Sequence, residues 1–289
     1  MITASLVKEL REKTGAGLLD CKKALEANNG DINASIDWLR EKGISKAAKK
    51  ADRIAAEGLS TVYVEGNNAV ILEVNCETDF VAKNERFTTL LNKIATALVN
   101  SDATTMEEAM AVATDEGTIN DSVINLTATL GEKISFRRFT KLTKSDDQVF
   151  GKYIHMGGKI SALTVVNGDN ETVANDVAMH LAAMNPKYIN KDLVPEKDIE
   201  EEKEVLKEKA INEGKPEAIA EKIVMGGISK FFKENCIVEQ EYVKDPSKTV
   251  GVYLSSNNCS LVNMVRYEVG EGIEKREENF AEEVMAQMK

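Results

Sequence analysis

The sequence predicts an α+β protein with an N-terminal three-helix module, a two-part core, a protruding helical hairpin and a C-terminal helix. Apolar residues recur at helical spacing at both ends of the chain, whereas runs with the period-two spacing of strands alternate with helical runs in the middle. A predicted β-hairpin followed by a helix occurs twice, which indicates two related α+β halves. A length of 289 residues allows about two or three units.

The N-terminal part, residues 1–55, is predicted as a helical docking module with its linker. Three short runs with helical spacing are each followed by a glycine, at Gly15, Gly30 and Gly43. Glycine just past a helix supplies the left-handed backbone in which the chain turns. Asp31 is placed to cap the third helix. A bundle this small has limited stability of its own and is typical of docking modules.

The core is predicted in two halves, residues 56–140 and residues 141–265. Each half begins with a β-hairpin of β-branched and apolar residues, and a helix follows each hairpin. The predicted elements are strands at 59–64 and 69–76, a helix through Leu98, two helices within 102–130, strands at 134–139, 149–155 and 159–166, a helix ending at Asn185-Pro186, a helical run at 229–235 and a strand at 261–269.

A strongly charged stretch, about residues 190–226, is predicted as the protruding helical hairpin. Gly214 ends its first arm, and Pro216 fits the first turn of the second. Ile219 and Ile223 give the second arm a narrow apolar seam, which fits either a coiled-coil contact with another chain or a solvated surface helix.

Residues 266–289 form the last predicted module. Phe280, Val284 and Met288 recur at helical spacing there, which predicts an amphipathic C-terminal helix. Such a helix needs an apolar surface on which to lie, either in its own chain or in a partner.

The charge and cysteine content narrow the class of protein. The formal net charge is −11, which argues against direct nucleic-acid binding or membrane binding as the main role. Residues 1–55 nevertheless carry eleven basic against eight acidic residues, so an acidic partner surface could dock there. Four cysteines lie far apart, and no secretory or transmembrane segment accompanies them. We therefore expect reduced thiols in a cytoplasmic protein.

No catalytic motif, metal site or cofactor site is predicted. The chain has two histidines: His155 lies at a hairpin tip, where it suits a partner contact, and His180 lies on a helix, where a structural role is the usual one. Neither has a carboxylate or cysteine at ligand spacing. Cys76 has no basic neighbour in the sequence to favour its thiolate, so buried filler is favoured over a nucleophile.

The stretch at residues 78–84 joins a predicted strand to a predicted helix, with Asp79 and Phe80 at the junction. Such connections lie at the surface. A phenylalanine there either folds back into the core or serves a partner, and the pattern alone favours the core.

Five blocks of the sequence together resemble bacterial elongation factor Ts. They occur in that family's order and span nearly the whole chain. The blocks are SLVKELR at 5–11, TGAG at 14–17, DCKKAL at 20–25, NCETDFVAK at 75–83 and EVGEGIEK at 268–275.

The resemblance implies a guanine nucleotide exchange factor for the GTPase elongation factor Tu. It also implies that the N-terminal module is UBA-like, that the arm at 190–226 supports homodimerisation, and that the C-terminal helix folds back onto the nucleotide-binding domain of the GTPase. The positions that match the family's wedge near the magnesium site are Thr78, Asp79, Phe80 and Val81. The positions that match other GTPase contacts are Arg11, Leu18, Leu19, Leu130, Gly131, His155 and His180.

Two departures from the family pattern bear on these positions. Many members carry methionines where this chain has Leu18 and Leu19, an apolar exchange that preserves contact. The family often has aspartate where this chain has Asn84, which changes the charge beside the wedge. The alternative to an exchange factor is a dimeric adapter that docks through the N-terminal module, with Phe80 in the core. An enzyme acting through Cys76 is a third and weaker hypothesis.

Overall fold

The computed structural model describes residues 2–14 and 16–274 of the chain. Helices and antiparallel sheets are both present, so the predicted α+β class is confirmed. The elements are α1 Ala4–Thr14, α2 Leu18–Ala27, α3 Ile32–Ala48, β1 Glu57–Glu65, β2 Asn68–Cys76, α4 Asp79–Ala82, α5 Glu85–Val99, α6 Met106–Ala111, β3 Ala113–Thr114, β4 Gly117–Thr118, α7 Ile119–Leu130, β5 Ser135–Thr143, β6 Gln148–His155, β7 Ile160–Asn167, α8 Glu171–Met184, α9 Glu196–Asn212, α10 Glu217–Asn235, β8 Glu241–Tyr242, β9 Asp245–Thr249, α11 Val250–Ser256 and β10 Ser260–Glu268.

Helices α1, α2 and α3 form the predicted N-terminal bundle around a small apolar core. Leu10, Cys21 and Leu25 are fully buried at its centre. The predicted cap of α3 is confirmed, since the Ala34 N–H donates to the Asp31 carboxylate over 2.9 Å.

The helix ends of this bundle follow the glycines only in part. The second helix stops before Gly30, which has a φ of +87°. Gly15, the predicted end of the first helix, lies outside the described residues. The predicted end of the third helix at Gly43 is wrong, because α3 continues to Ala48. Gly43 is buried against α7, where an added Cβ would lie 3.4 Å from the Cβ of Ala128. Packing between these helices overrides the low helix propensity of glycine.

Two three-stranded antiparallel sheets form the core, with strand orders β1–β2–β5 and β10–β7–β6. Both predicted hairpins are confirmed: β1 pairs with β2, and β6 pairs with β7. The third strand of each sheet arrives from later in the chain, because β5 joins β2 and β10 returns to join β7.

The central strands β2 and β7 are buried on both faces because the two sheets pack against each other and carry helices outside. In β2, Val70 and Leu72 face the core beneath α5, whereas Ile71 belongs to the cluster between the sheets with Leu163 and Val165 of β7. On the far side, α8 packs against the second sheet. The layers are therefore helix, sheet, sheet, helix. This arrangement explains the unbroken apolar run of β2, since alternation is expected only where one face of a strand meets water.

Glu73 of β2 is a charged residue inside this core and is 0% exposed. Its carboxylate accepts hydrogen bonds from Arg137 Nη1 (3.0 Å), Arg138 Nε (2.6 Å) and the Gly270 N–H (2.8 Å). Burial favours a raised pKa for Glu73, but the bonds from Gly270, Asn75 and Arg138 outweigh it and hold the pKa below its ordinary value. A buried carboxylate thus fastens the segment after β10 to the first sheet.

Gly270 also packs directly on the residue that precedes β1. Its φ is +76°, and an added Cβ would lie 2.3 Å from the carbonyl oxygen of Ala56. A side chain at position 270 would therefore collide with the backbone at the start of the core.

Helices α9 and α10 form the predicted helical hairpin, and Gly214 turns between them with a φ of +73°. The prediction of a hairpin that ends near Met225, with a separate helical run at 229–235, is wrong because α10 is one helix from Glu217 to Asn235. Gly227 lies against α9, where an added Cβ would lie 2.5 Å from Cδ1 of Leu206. The glycine permits close approach of the two helices and does not end either one.

The predicted C-terminal amphipathic helix falls within residues 275–289, outside the described part of the chain. In the part that the structure describes, no helix combines the length and the apolar character that crossing a bilayer requires.

Candidate functional site

The junction between β2 and α5 presents an aromatic side chain to solvent. β2 ends at Cys76, and Asp79 begins the one-turn helix α4. Phe80 is 81% exposed, whereas Ala82 is buried and Val81 packs against the core. The interpretation that places Phe80 in the core is therefore wrong, because the core beneath the junction is filled by the residues that follow it.

Two helix caps shape the junction. The Thr78 side chain accepts a hydrogen bond from the Val81 N–H over 3.3 Å and caps α4. The Asn84 side chain accepts one from the Arg86 N–H over 2.9 Å and caps α5. Because Asn and Asp cap helices about equally well, the aspartate that the family often carries at position 84 would serve the same local structure.

The loop that follows α7 holds the junction from the side. The Glu132 carboxylate accepts hydrogen bonds from the Thr78 N–H (3.0 Å) and the Thr78 hydroxyl (2.7 Å). In return, the Glu77 carboxylate accepts from the Lys133 N–H (2.6 Å) and from Arg53 Nη1 (3.3 Å). Residues 78–81, which match the family's wedge, therefore lie beside the loop that follows Leu130 and Gly131 at the end of α7.

The connector that leaves the N-terminal bundle is fastened to the same loop. Lys50 donates to the Gly131 carbonyl, and Lys133 Nζ donates to the carbonyls of Ala51 (2.6 Å) and Arg53 (2.9 Å). Gly131 ends α7 in the left-handed conformation that such a cap requires. The bundle, the loop and the junction therefore form one connected surface.

Asp79 places a carboxylate next to Phe80 and is itself partly exposed. Lys83 Nζ lies 2.7 Å from its Oδ2, and this hydrogen bond lowers the pKa of Asp79 below its ordinary value. The carboxyl is therefore ionised at neutral pH. An exposed aromatic ring therefore lies next to an ionised carboxylate that is paired with Lys83.

The predicted contact residues of the N-terminal bundle all lie at its surface. Leu18 and Leu19, at the start of α2, are 56% and 70% exposed, and Arg11 of α1 is also exposed. Cys21 and Leu25 of the same α2 helix fill the bundle's core. The two exposed leucines therefore contribute little to folding and are available to a partner.

His155 is exposed at the tip of the β6–β7 hairpin, as predicted. Its ring stacks on Tyr153 with ring centroids 6.0 Å apart, and the Tyr153 hydroxyl lies 3.4 Å from its Nδ1. The neighbouring Met156 is 73% exposed and has a φ of +47°. The tip thus offers an aromatic pair and a flexible apolar side chain.

His180 does not share this surface, because it is 0% exposed in α8. Its Nε2 lies 2.9 Å from the Gln240 side-chain oxygen, and its Nδ1 accepts a hydrogen bond from the Val243 N–H over 3.2 Å. Burial lowers the pKa of His180, which keeps the ring neutral. The structural role that its helical position indicates is correct, and direct contact with a partner does not fit its burial.

The thiol of Cys76 lies beneath the junction and is buried. Burial raises the pKa of Cys76 to about 12, so its thiolate is not formed near neutral pH. Within residues 2–14 and 16–274, no three His, Cys, Asp or Glu side chains lie close enough to share a metal ion.

No sequence pattern indicates that Glu77 and Glu132 each accept a hydrogen bond from the other's segment. Both acids lie beside residues that the motif match had singled out, but acidic residues in loops are too common to indicate a specific contact. Only the fold brings the end of β2 next to the end of α7.

A protein-family model described as Elongation factor TS matches residues 77–271 of this chain. The match covers more than half of the sequence, begins at Glu77 of the junction and includes α7, the β6–β7 hairpin and the helical arm. The chain therefore belongs to the elongation factor Ts family and has the role of a translation elongation factor.

Proposed function

We propose that this chain binds the GDP-bound GTPase elongation factor Tu and promotes the release of GDP, so that GTP can bind. The observation that carries the proposal is the exposed Phe80 beside the Asp79 carboxylate, on a turn that neighbouring loops hold in place. Family membership supports elongation factor Tu as the partner. We place this activity in the cytoplasm, together with translation.

In this mechanism Thr78, Asp79, Phe80 and Val81 act as a wedge. Phe80 enters an apolar pocket of the GTPase near its magnesium site, and Asp79 brings a negative charge toward the same region. Val81 seats the turn on the core and Thr78 caps it. The inserted groups disturb the coordination of magnesium and phosphate in the partner. Exchange of a bound nucleotide needs no covalent step, so it calls for no catalytic residue in this chain.

The energies involved are moderate. A nucleotide bound at nanomolar affinity is held by about 12 kcal/mol, and releasing it a thousandfold faster requires weakening that hold by ~4 kcal/mol. Burial of one phenylalanine contributes on the order of 2 kcal/mol. Linkage makes the effect reciprocal: a factor that weakens nucleotide binding is itself displaced when GTP binds.

The remaining surface residues would supply affinity and orientation. Arg11, Leu18 and Leu19 would dock the N-terminal bundle on the nucleotide-binding domain, Leu130 and Gly131 would support the wedge, and His155 would meet a second domain. His180 would support the second sheet from within. Because the connector is fastened at Lys50 and Lys133, docking of the bundle would fix the position of the wedge.

Release of fluorescently labelled GDP from elongation factor Tu, followed by stopped flow with and without this chain, tests the proposal. We expect the release rate to rise with the concentration of the chain and to reach a plateau. Tight binding without faster release would instead show a docking adapter, and the exchange role would be rejected.

We also propose that the helical arm pairs with the arm of a second copy. Apolar side chains along the arm lack cover within the described chain, although charged residues surround them. The exposed apolar residues of the arm are Val205, Ile211, Ile219, Ile223 and Met225. Pairing of two arms as a coiled coil would bury these side chains.

Sedimentation velocity over a range of concentrations tests this dimer. We expect the wild-type chain to shift toward dimer as concentration rises and Ile219→Glu/Ile223→Glu to remain monomeric. Glu221→Gln, on the polar side of the same helix, is the matched control and should behave as wild type. A monomeric wild type at the highest concentration would make the arm a solvated surface element.

A further inference from the structure

The wedge turn has little stability of its own. Helix α4 contains only residues Asp79–Ala82, and a single turn is unfavourable without tertiary support. Because the ring of Phe80 is exposed, packing against the rest of the chain does little to fix its position. The orientation of Phe80 therefore depends on the groups that hold the ends of the turn.

Glu132 is the group that fixes the N-terminal end. One carboxylate oxygen accepts the Thr78 N–H and the other accepts the Thr78 hydroxyl, at 3.0 and 2.7 Å. A threonine hydroxyl has a single proton and two lone pairs. Since the proton goes to Glu132, a lone pair remains directed to the Val81 N–H, 3.3 Å away. The carboxylate thus selects the hydroxyl orientation that caps α4.

The Lys133 N–H donates to the Glu77 carboxylate over 2.6 Å, and this reciprocal bond holds the Glu132 loop against the junction. The ammonium group of Lys133 also donates hydrogen bonds to the connector, at the carbonyls of Ala51 and Arg53. Glu132 therefore lies on a loop that is itself fixed on both sides, which gives its carboxylate a defined position relative to the core.

We propose that Glu132 is a positioning residue for nucleotide exchange, holding the turn at residues 78–82 in the orientation from which Phe80 acts. This inference rests on the proposed exchange function. A displacement of about 1 Å at a functional group can cost a hundredfold in rate. Removing the Glu132 carboxylate would break two charge-assisted hydrogen bonds, which are stronger than hydrogen bonds between neutral groups. Loss of Glu132 should accordingly slow accelerated GDP release about tenfold or more.

A double-mutant cycle with wild type, Glu132→Ala, Phe80→Ala and the double variant tests this role. The plateau rate of GDP release and the half-saturating concentration are measured for each. We expect Glu132→Ala to lower the plateau rate, to leave the half-saturating concentration nearly unchanged, and to have no further effect once Phe80 is removed. Glu132→Gln keeps one acceptor oxygen and should lie between wild type and Glu132→Ala. Glu85→Gln, an exposed acid in the next helix, controls for loss of charge nearby.

Amide exchange of Val81 in the free chain, measured by NMR, separates the structural step from the functional one. We expect faster exchange at this amide in Glu132→Ala, with the thermal unfolding temperature within a few degrees of wild type. The inference is overturned if Glu132→Ala releases GDP as fast as wild type while Phe80→Ala is slow, or if the two substitutions have independent, multiplying effects. If the wild-type chain accelerates nothing, the proposed function fails and this inference fails with it.

Discussion

Phe80→Ala is expected to slow the accelerated release of GDP about thirtyfold while leaving the fold intact. Removing the ring forfeits about 2 kcal/mol of burial in the partner, which corresponds to that factor in rate if the burial is made only when the nucleotide is displaced. The ring is 81% exposed in the free chain, so its loss should change the free energy of unfolding by less than about 0.5 kcal/mol. Stopped-flow release and thermal unfolding measure the two quantities.

Two controls sharpen this result. Phe80→Leu keeps most of the apolar contact and should retain much of the activity. Phe87→Ala, seven residues later, removes a fully buried ring and should cost about 3–5 kcal/mol of stability instead. A wild-type release rate with Phe80→Ala would mean that the ring is not the inserted group.

Glu73→Ala is expected to cost about 3 kcal/mol of folding stability. The change leaves Arg137 and Arg138 without their shared acceptor and leaves the Gly270 N–H unpaired in the core. Chemical denaturation at neutral pH measures the loss. Glu116→Ala, whose carboxylate is exposed and paired with Lys93, is the control and should cost much less.

The pH dependence of this effect has a definite sign. The bonds to Glu73 outweigh its burial and depress its pKa in the folded chain, so ionised Glu73 stabilises the fold above the unfolded pKa of about 4.3. That stability is lost as the pH falls through the folded pKa. Wild type and Glu73→Gln should therefore differ most near neutral pH and converge in acid. A difference that stays constant down to low pH would mean that the charge of Glu73 does not matter.

The hairpins and the helices after them could be predicted from sequence because β-branched runs and helical spacing report local geometry. The continuation of α3 past Gly43 and of α10 through Gly227 could not be predicted, since glycine both ends helices and permits helices to pack closely, and only the partner helix decides between these uses. Hydrophobic pattern also favoured the core for Phe80, because a pattern does not show that Val81 and Ala82 already fill the space beneath it.

In the candidate site too, the local features could be predicted from the sequence and the tertiary contacts could not. The motif blocks pointed to Asp79 and Phe80, which lie at one junction along the chain. The acids that hold this junction follow two different elements, Glu77 after β2 and Glu132 after α7, and the hydrogen bonds between these segments depend on how β2 and α7 meet. The role of Glu73 could not be predicted for a related reason. One acid in an apolar run gives no indication of the two arginines and the backbone N–H that donate hydrogen bonds to it.

The contact between Gly270 and Ala56 brings the first and last residues of the core together. The chain enters this core next to Ala56 and leaves it at Gly270, against the same carbonyl oxygen. The two ends of the core therefore lie side by side, while the N-terminal bundle makes further contacts with α7 and the loop after it. Joining the two ends there with a short linker and opening the chain at the exposed β1–β2 turn would reorder the sequence without changing any strand pairing, so the core is suited to circular permutation.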